Sequence, residues 1–276
     1  MKFPAFDYAR PAGLDAALDL LAGEAAVLSG GQSLSPMMGF RVARPEKLVD
    51  ISRLSALRGA ALEPDGTLVI GAAVTHAMIE DGALPGPLGG FLARVAGGIA
   101  YRAIRNRGTI GGSLCQADPA ADWPCVMSLL DAVLVLRRAG GERQVPVRAF
   151  LLGHLMTAIE PGELLTVIRI PPQPGARFGM AKSTRKLGEF AEGIAAACLT
   201  PGAARVTLGA LEVPPATLAV DPALVTGPQP ARLTSSPLYA AVDAALKAAD
   251  ATDPAGYRHH LAVLTGCRAL IEAAQP

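Results

Sequence analysis

Apolar residues recur at helical spacing near the start of the chain. Leu14, Ala17, Leu18 and Leu21 share one face, with Asp15 and Asp19 on the other. The spacing predicts an amphipathic helix starting near Pro11 and stopping at Gly23. Short apolar runs at Val27-Leu28 and Leu48-Val49-Asp50-Ile51 read as strands, with a helical turn at Pro36–Arg41 between them. This predicts a small β-α-β unit ending near Leu57. The next region is built differently. Thr67–Gly71 reads as a strand, and Thr75–Glu80 as a short helix with Thr75 as its N-cap. Phe91–Ala100 reads as a helix weakened by Gly97-Gly98. Asp118-Pro119 is a helix start, with Asp capping and Pro in the first turn, and the helix runs towards Leu130. Ala132–Leu136 and Leu164–Ile170 are further strands. Pro171-Pro172-Gln173-Pro174-Gly175 is the clearest linker. Beyond it three strands are predicted, Phe178–Lys182, Ile194–Cys198 and Arg205–Leu211. Two helices follow, Leu238–Ala249 and Tyr257–Ala274, the second opened by Asp253-Pro254. The expected class is α/β (α+β), divided at 1–57, 58–171 and 175–276.

Composition narrows the function. The 276 residues are half hydrophobic, enough for a sizeable core, yet no run of eighteen apolar residues predicts a membrane span. Met1–Asp7 lacks the apolar centre of a signal peptide, so a cytoplasmic location is expected. Cys115, Cys125, Cys198 and Cys267 are scattered with no Cys-x-x-Cys pair, which argues against a zinc or iron–sulfur site and against a disulfide framework. The formal net charge is +1 with no basic block, so nucleic acid is not an expected partner.

Two glycine-rich stretches carry the chemistry. Ser29-Gly30-Gly31-Gln32-Ser33-Leu34 lies between a short strand and a helical turn, a phosphate-cradling arrangement. Thr109-Ile110-Gly111-Gly112-Ser113 follows Arg105-Asn106-Arg107-Gly108 and precedes Asp118 and Asp122. Glycines permit positive φ and close approach of a ligand to the main chain, and the freed N–H groups make a concave anion site. Acids behind such a site suit a ligand with both phosphates and sugar hydroxyls. Neither stretch has the spacing of a dinucleotide fingerprint or a Walker loop. Two such loops are expected to grip one pyrophosphate from both sides.

Together the stretches resemble a family. Residues 29–38 with Arg44–Ile51 are similar to the first FAD motif of the molybdenum hydroxylase flavoprotein subunits, the medium chains of carbon monoxide dehydrogenase and the equivalent domain of xanthine dehydrogenase. Ile104–Ser113 with Ala117–Asp122 is similar to their second. The resemblance implies a PCMH-type FAD-binding fold: two FAD-holding subdomains, then a three-stranded sheet with helices. It implies FAD, with Asp122 on the ribityl chain, Lys182 near the N1–C2=O edge of the flavin, and Leu165 near the ring system. The motifs place no histidine or cysteine obviously to tether the flavin, Cys115 being the one thiol close by, so non-covalent FAD is expected. Molybdenum cofactor and [2Fe-2S] clusters are expected only in partners, an iron–sulfur small subunit and a molybdenum large subunit, in a dimer of heterotrimers. The flavin would pass electrons to NAD, a quinone, a cytochrome or oxygen, and the chain would be active only within the complex. Two rivals are a free-standing flavin oxidoreductase and a scaffold module of the same fold that has lost FAD.

Other residues carry blander readings. His76 reads as a surface or capping residue, and His154, His259 and His260 have no partner at ligand spacing. Trp123 is expected to pack under the loop, and Tyr101 is a stacking candidate. Ala103 and Ala191-Glu192 depart from relatives that carry a glutamine and a ring-facing aromatic there, which bears on the electron acceptor.

Overall fold

A computed structural model describes residues 3–253 and 256–275. In chain order it contains β1 (Asp7–Ala9), α1 (Leu14–Leu21), β2 (Ala26–Leu28), α2 (Leu34–Gly39), β3 (Lys47–Asp50), β4 (Ala60–Leu62), β5 (Leu68–Gly71), α3 (His76–Glu80), α4 (Gly89–Gly97), α5 (Arg102–Arg105), α6 (Ile110–Gln116) and α7 (Asp122–Leu129). Then come β6 (Val133–Arg138), β7 (Gly141–Pro146), α8 (Val147–Phe150), β8 (Leu151–Gly153), β9 (Met156–Thr157) and β10 (Leu164–Ile170). The remainder holds β11 (Arg177–Ser183), β12 (Gly193–Thr200), β13 (Ala203–Gly209), β14 (Ala216–Val220), α9 (Pro222–Thr226), α10 (Pro237–Ala248) and α11 (Tyr257–Ala274). The chain forms two compact units. One comprises residues up to Gln116 with Val133–Phe150 and Thr157–Pro171. The other comprises Ala117–Ala132, Leu151–Met156 and the residues from Pro172 on.

The first unit has two sheets. β1, β3 and β2 lie parallel in that order, and the apolar face of α1 (Ala17, Leu18, Leu21) packs with Val49, Ile51, Leu54 and Leu57. This is the unit that the early helical spacing predicts, with β1 added at its edge. The second sheet runs β4-β5-β10-β6-β7 and is antiparallel. β10 is its middle strand, and side chains on both of its faces are buried, which explains its nearly continuous apolar sequence. A bulge between Leu165 and Val167 interrupts its pairing with β6. β7 is polar and follows a tight turn at left-handed Gly140.

The second unit is a four-stranded antiparallel sheet, β11-β12-β13-β14, with α11 packed closely on it. Gly179 has no room for a side chain because the main chain of Ala269 in α11 lies directly against it. α7 also packs against this sheet, and the Cys125 thiol donates to Thr207 O at 3.3 Å. Every residue of α7 is buried, which fits a helix that is apolar apart from Asp122 and Ser128. The three strands expected after the linker are present, and β14 is a fourth. Asp118 does not cap α7 as its sequence suggests. Its carboxylate accepts from Ala120 N at 2.9 Å in a turn ahead of the helix, and the N-cap is Ala121. The helix start expected at Asp253-Pro254 falls partly outside the described residues, and the N-cap of α11 is Gly256.

Candidate functional site

In the first unit, the chain leaves β2 and turns at Ser29–Ser33 into α2. Gly31 is left-handed, with φ 70°. Among the described residues, the N–H groups of Gly30, Gly31, Gln32 and Ser33 make no backbone hydrogen bond. Successive free N–H groups around a left-handed residue form a concave nest for an anion. Gln32 Nε2 donates to Gly30 O at 3.0 Å and braces the turn. Leu34 opens α2 and is half-buried.

The second glycine stretch lies directly against the first. Ser29 Oγ and Thr109 Oγ1 share a hydrogen bond of 2.9 Å. A Cβ on Gly30 would run into Arg107 O and sit 2.8 Å from Gly108 Cα. Gly112 N donates to Thr109 Oγ1 at 3.1 Å, so one hydroxyl links the two stretches and the start of α6. Gly111 N donates to Ala72 O at 3.0 Å, and Ala72 N donates to Thr166 O at 2.9 Å. Thr166 is the residue inside the β10 bulge beside Leu165, so the bulge anchors the same scaffold. Ile110 is fully buried, Ser113 half-buried, and Leu165 is core.

Packing gives most of these glycines a further reason to be small. Of the loop glycines, Gly31 alone has positive φ. A Cβ on Gly111 would lie 2.6 Å from Ala72 O, and on Gly112 it would lie 2.8 Å from Thr109 Oγ1. Gly30 and Gly111 are small so that neighbouring main chain can lie against them, and Gly112 so that the Thr109 hydroxyl can. The structure also corrects the reading of residues 109–113 as a loop: from Ile110 on they are helix α6, with Ile110 and Leu114 four apart on its buried face.

Residues that the sequence reading missed position this site. Arg105 donates through Nε and Nη2 to the Glu80 carboxylate at 2.8 and 2.9 Å, and through Nη1 to Ile99 O and Ala100 O at 2.9 and 3.1 Å. With its donors so committed, it clips the chain ahead of the second stretch rather than reaching for a ligand. Its hydrogen bonds hold Glu80 below the usual carboxylate range. No local spacing announces a pair 25 residues apart. His76 lies buried against Gly108 and is not on the surface as its sequence suggests. Thr75 caps α3 as predicted, accepting from Met78 N at 3.2 Å.

In the second unit, Asp122 is the first residue of α7 and is 5% exposed. Lys182 Nζ lies 3.1 and 3.0 Å from its two carboxylate oxygens. Burial pushes the Asp122 carboxyl up, and the Lys182 ammonium pulls against that shift. The pair is a buried charge-assisted contact. Trp123 is fully buried and packs, as expected, while Tyr101 in the first unit is 61% exposed. Cys115 is half-buried and burial pushes its thiol up to about 12, which makes it a poor nucleophile. Among the described residues, no group of three or more His, Cys, Asp or Glu side chains is placed to hold a metal ion. No described helix is long and apolar enough to cross a membrane.

The first unit carries a concave run of free N–H groups at Gly30–Ser33, braced by a second glycine-rich segment, which places it in the class of proteins with a main-chain cradle suited to an anion. The chain belongs to the family described as FAD binding domain in molybdopterin dehydrogenase, whose pattern matches residues 4–173. It is 39% identical over 204 residues to the 6-hydroxypseudooxynicotine dehydrogenase complex subunit alpha of Paenarthrobacter nicotinovorans, covering 72% of this chain and 69% of that one. It is 43% identical over 201 residues to the carbon monoxide dehydrogenase medium chain of Afipia carboxidovorans, covering 71% and 69%. A chain of reconstituted CO dehydrogenase from Oligotropha carboxidovorans superposes with a TM-score of 0.84 at 33% identity, covering 99% of each. This chain is thus a medium-type, FAD-binding oxidoreductase subunit of the molybdenum hydroxylase family, and the PCMH-type fold is the one expected.

Proposed function

We propose that this chain receives electrons from iron–sulfur clusters of a partner chain and passes them through FAD to an external acceptor. The observation that carries the reading is the nest at Gly30–Ser33, with its N–H groups unspent and its position fixed by the Ser29–Thr109 hydrogen bond. The donor set fits a pyrophosphate: neutral main-chain N–H groups with hydroxyls beside them. Ser29, Gly30, Gly31, Gln32 and Ser33, with Thr109, Gly112 and Ser113, would hold it. Leu34, Ile110, Gly111 and Leu165 would support the cradle. For the second unit, Asp122 is assigned to ribityl hydroxyls, and Lys182 to negative charge on the reduced ring. FAD, when bound, supplies the electron-transfer chemistry, and the protein supplies orientation and electrostatics.

The rest of the reading is that of the family. The partners are an iron–sulfur small subunit and a molybdenum large subunit in a dimer of heterotrimers, in the cytoplasm. The division at 57, 171 and 175 separates two FAD subdomains from a C-terminal domain. The intact nest favours this over a scaffold that has lost FAD. Native purification with metal analysis tests it. Iron and molybdenum are expected to co-purify, and the isolated chain is expected to keep FAD without substrate turnover. A chain free of both metals that turns over an organic substrate at enzymatic rates would establish the free-standing oxidoreductase instead.

A further inference from the structure

His76 belongs to neither glycine stretch, yet it lies directly against Gly108 at the head of the second. It opens α3 after the Thr75 cap, and its N–H donates to Gly108 O at 2.9 Å. Thr75 and Thr109 form an isolated bridge beside this bond, and Ile110 N donates to Val74 O at 3.1 Å. The segment Val74–His76 is therefore stitched along the second stretch. The side chain adds a wall to that seam. An ideal Cβ on Gly108 would lie 2.8 Å from His76 Cδ2 and 2.9 Å from Nε2. Gly108 Cα in turn lies 2.8 Å from the place a Cβ of Gly30 would take. The imidazole thus lies against Gly108, and Gly108 in turn against Gly30 at the start of the nest.

We infer that His76 is a positioning residue for the FAD pyrophosphate: its neutral imidazole sets how far Gly108 stands forward, and so holds the Gly30–Ser33 nest in register. The inference rests on the reading of that nest as the pyrophosphate site.

The charge state follows from the surroundings. The imidazole is 6% exposed. The charge acting on it is the Arg105 guanidinium of α5, itself held by Glu80 of α3, with Arg102 and Asp81 extending the network outward. Arg107 lies on the same loop. Burial, then Arg105, lower the His76 pKa to about 4. A cation in this place would have to be hydrated or displaced, and either moves the wall away from Gly108.

The test is FAD affinity of the full chain, stripped of flavin and titrated with FAD by fluorescence, against pH. His76→Ala removes the wall and should weaken FAD binding by about tenfold or more near neutral pH. His76→Gln keeps a planar polar end at the same reach but cannot titrate. It should bind within about threefold of wild type near neutral pH. It should also lack the weakening that wild type shows as the pH falls through about 4, where the folded imidazole takes up its proton. Circular dichroism checks the fold, and if His76→Ala does not fold, the Gln profile decides alone. Wild-type affinity in His76→Ala, or a wild-type pH profile in His76→Gln, would overturn the role. A wild-type chain that takes up no FAD would overturn the nest reading itself, and His76's place with it.

Discussion

A Cβ means something different at each glycine of the two stretches. At Gly111 it would press into Ala72 O, so Gly111→Ala is expected to cost about 1–3 kcal/mol of stability as an overpacked site, and FAD with it. At Gly31 the obstacle is φ 70°, a strain of about 1–2 kcal/mol for a residue with a side chain. Gly31→Ala should stay folded while losing FAD affinity, because the turn that aims the N–H groups is what changes. Denaturant unfolding and flavin titration of the two variants separate these cases. A Gly31→Ala chain with wild-type FAD affinity would count against the nest. At Asp122 the issue is charge. Lys182→Met would leave the buried carboxylate without its partner, a loss on the order of 3–5 kcal/mol. Adding Asp122→Asn should recover part of it, and a double-mutant cycle by chemical unfolding measures how much. Additive losses would mean that the ion pair carries no coupling.

At the scale of elements, acid should loosen the seam around α3, α5 and α6. His76 is neutral in the fold down to about pH 4, against 6.5 for a free imidazole. Between these values the unfolded chain binds a proton that the folded chain refuses. The stabilisation is fully present above 6.5 and is lost as the pH falls, on the order of 3 kcal/mol by pH 4. Glu80 acts in the same direction lower down: its carboxyl is depressed by Arg105, so its contribution is present above 4.5 and fades as pH falls through the folded value. Unfolding free energy against pH should show the first loss in wild type and not in His76→Gln. An unchanged slope would assign it to another group.

The elements also show what the sequence makes legible. α1, β10 and α11 follow from periodicity, since each buries one regular face or a whole run. β7 and β14 are less visible because an edge strand need bury only one side. α6 is hidden by its own glycines, which argue for a loop until Ala72 is seen to crowd Gly111 and the Thr109 hydroxyl Gly112. Within the site, the glycines and hydroxyls announce themselves by local clustering. The Glu80–Arg105 clip and the His76 wall do not, because their partners are distant in sequence and meet only through the fold. The pairing of Asp122 with Lys182 across 60 residues is of the same kind.

For the molecule as a whole, the central prediction is that this chain holds its FAD without a covalent bond. Cys115 is half-buried in α6, and its thiol is pushed up to about 12, so it is not poised to form a flavin tether. The most direct measurement is flavin content before and after acid precipitation of the purified full chain. One FAD per chain is expected, released entirely into a yellow supernatant. A chain that carries no flavin after reconstitution, or flavin that stays with the pellet through proteolysis, would contradict it.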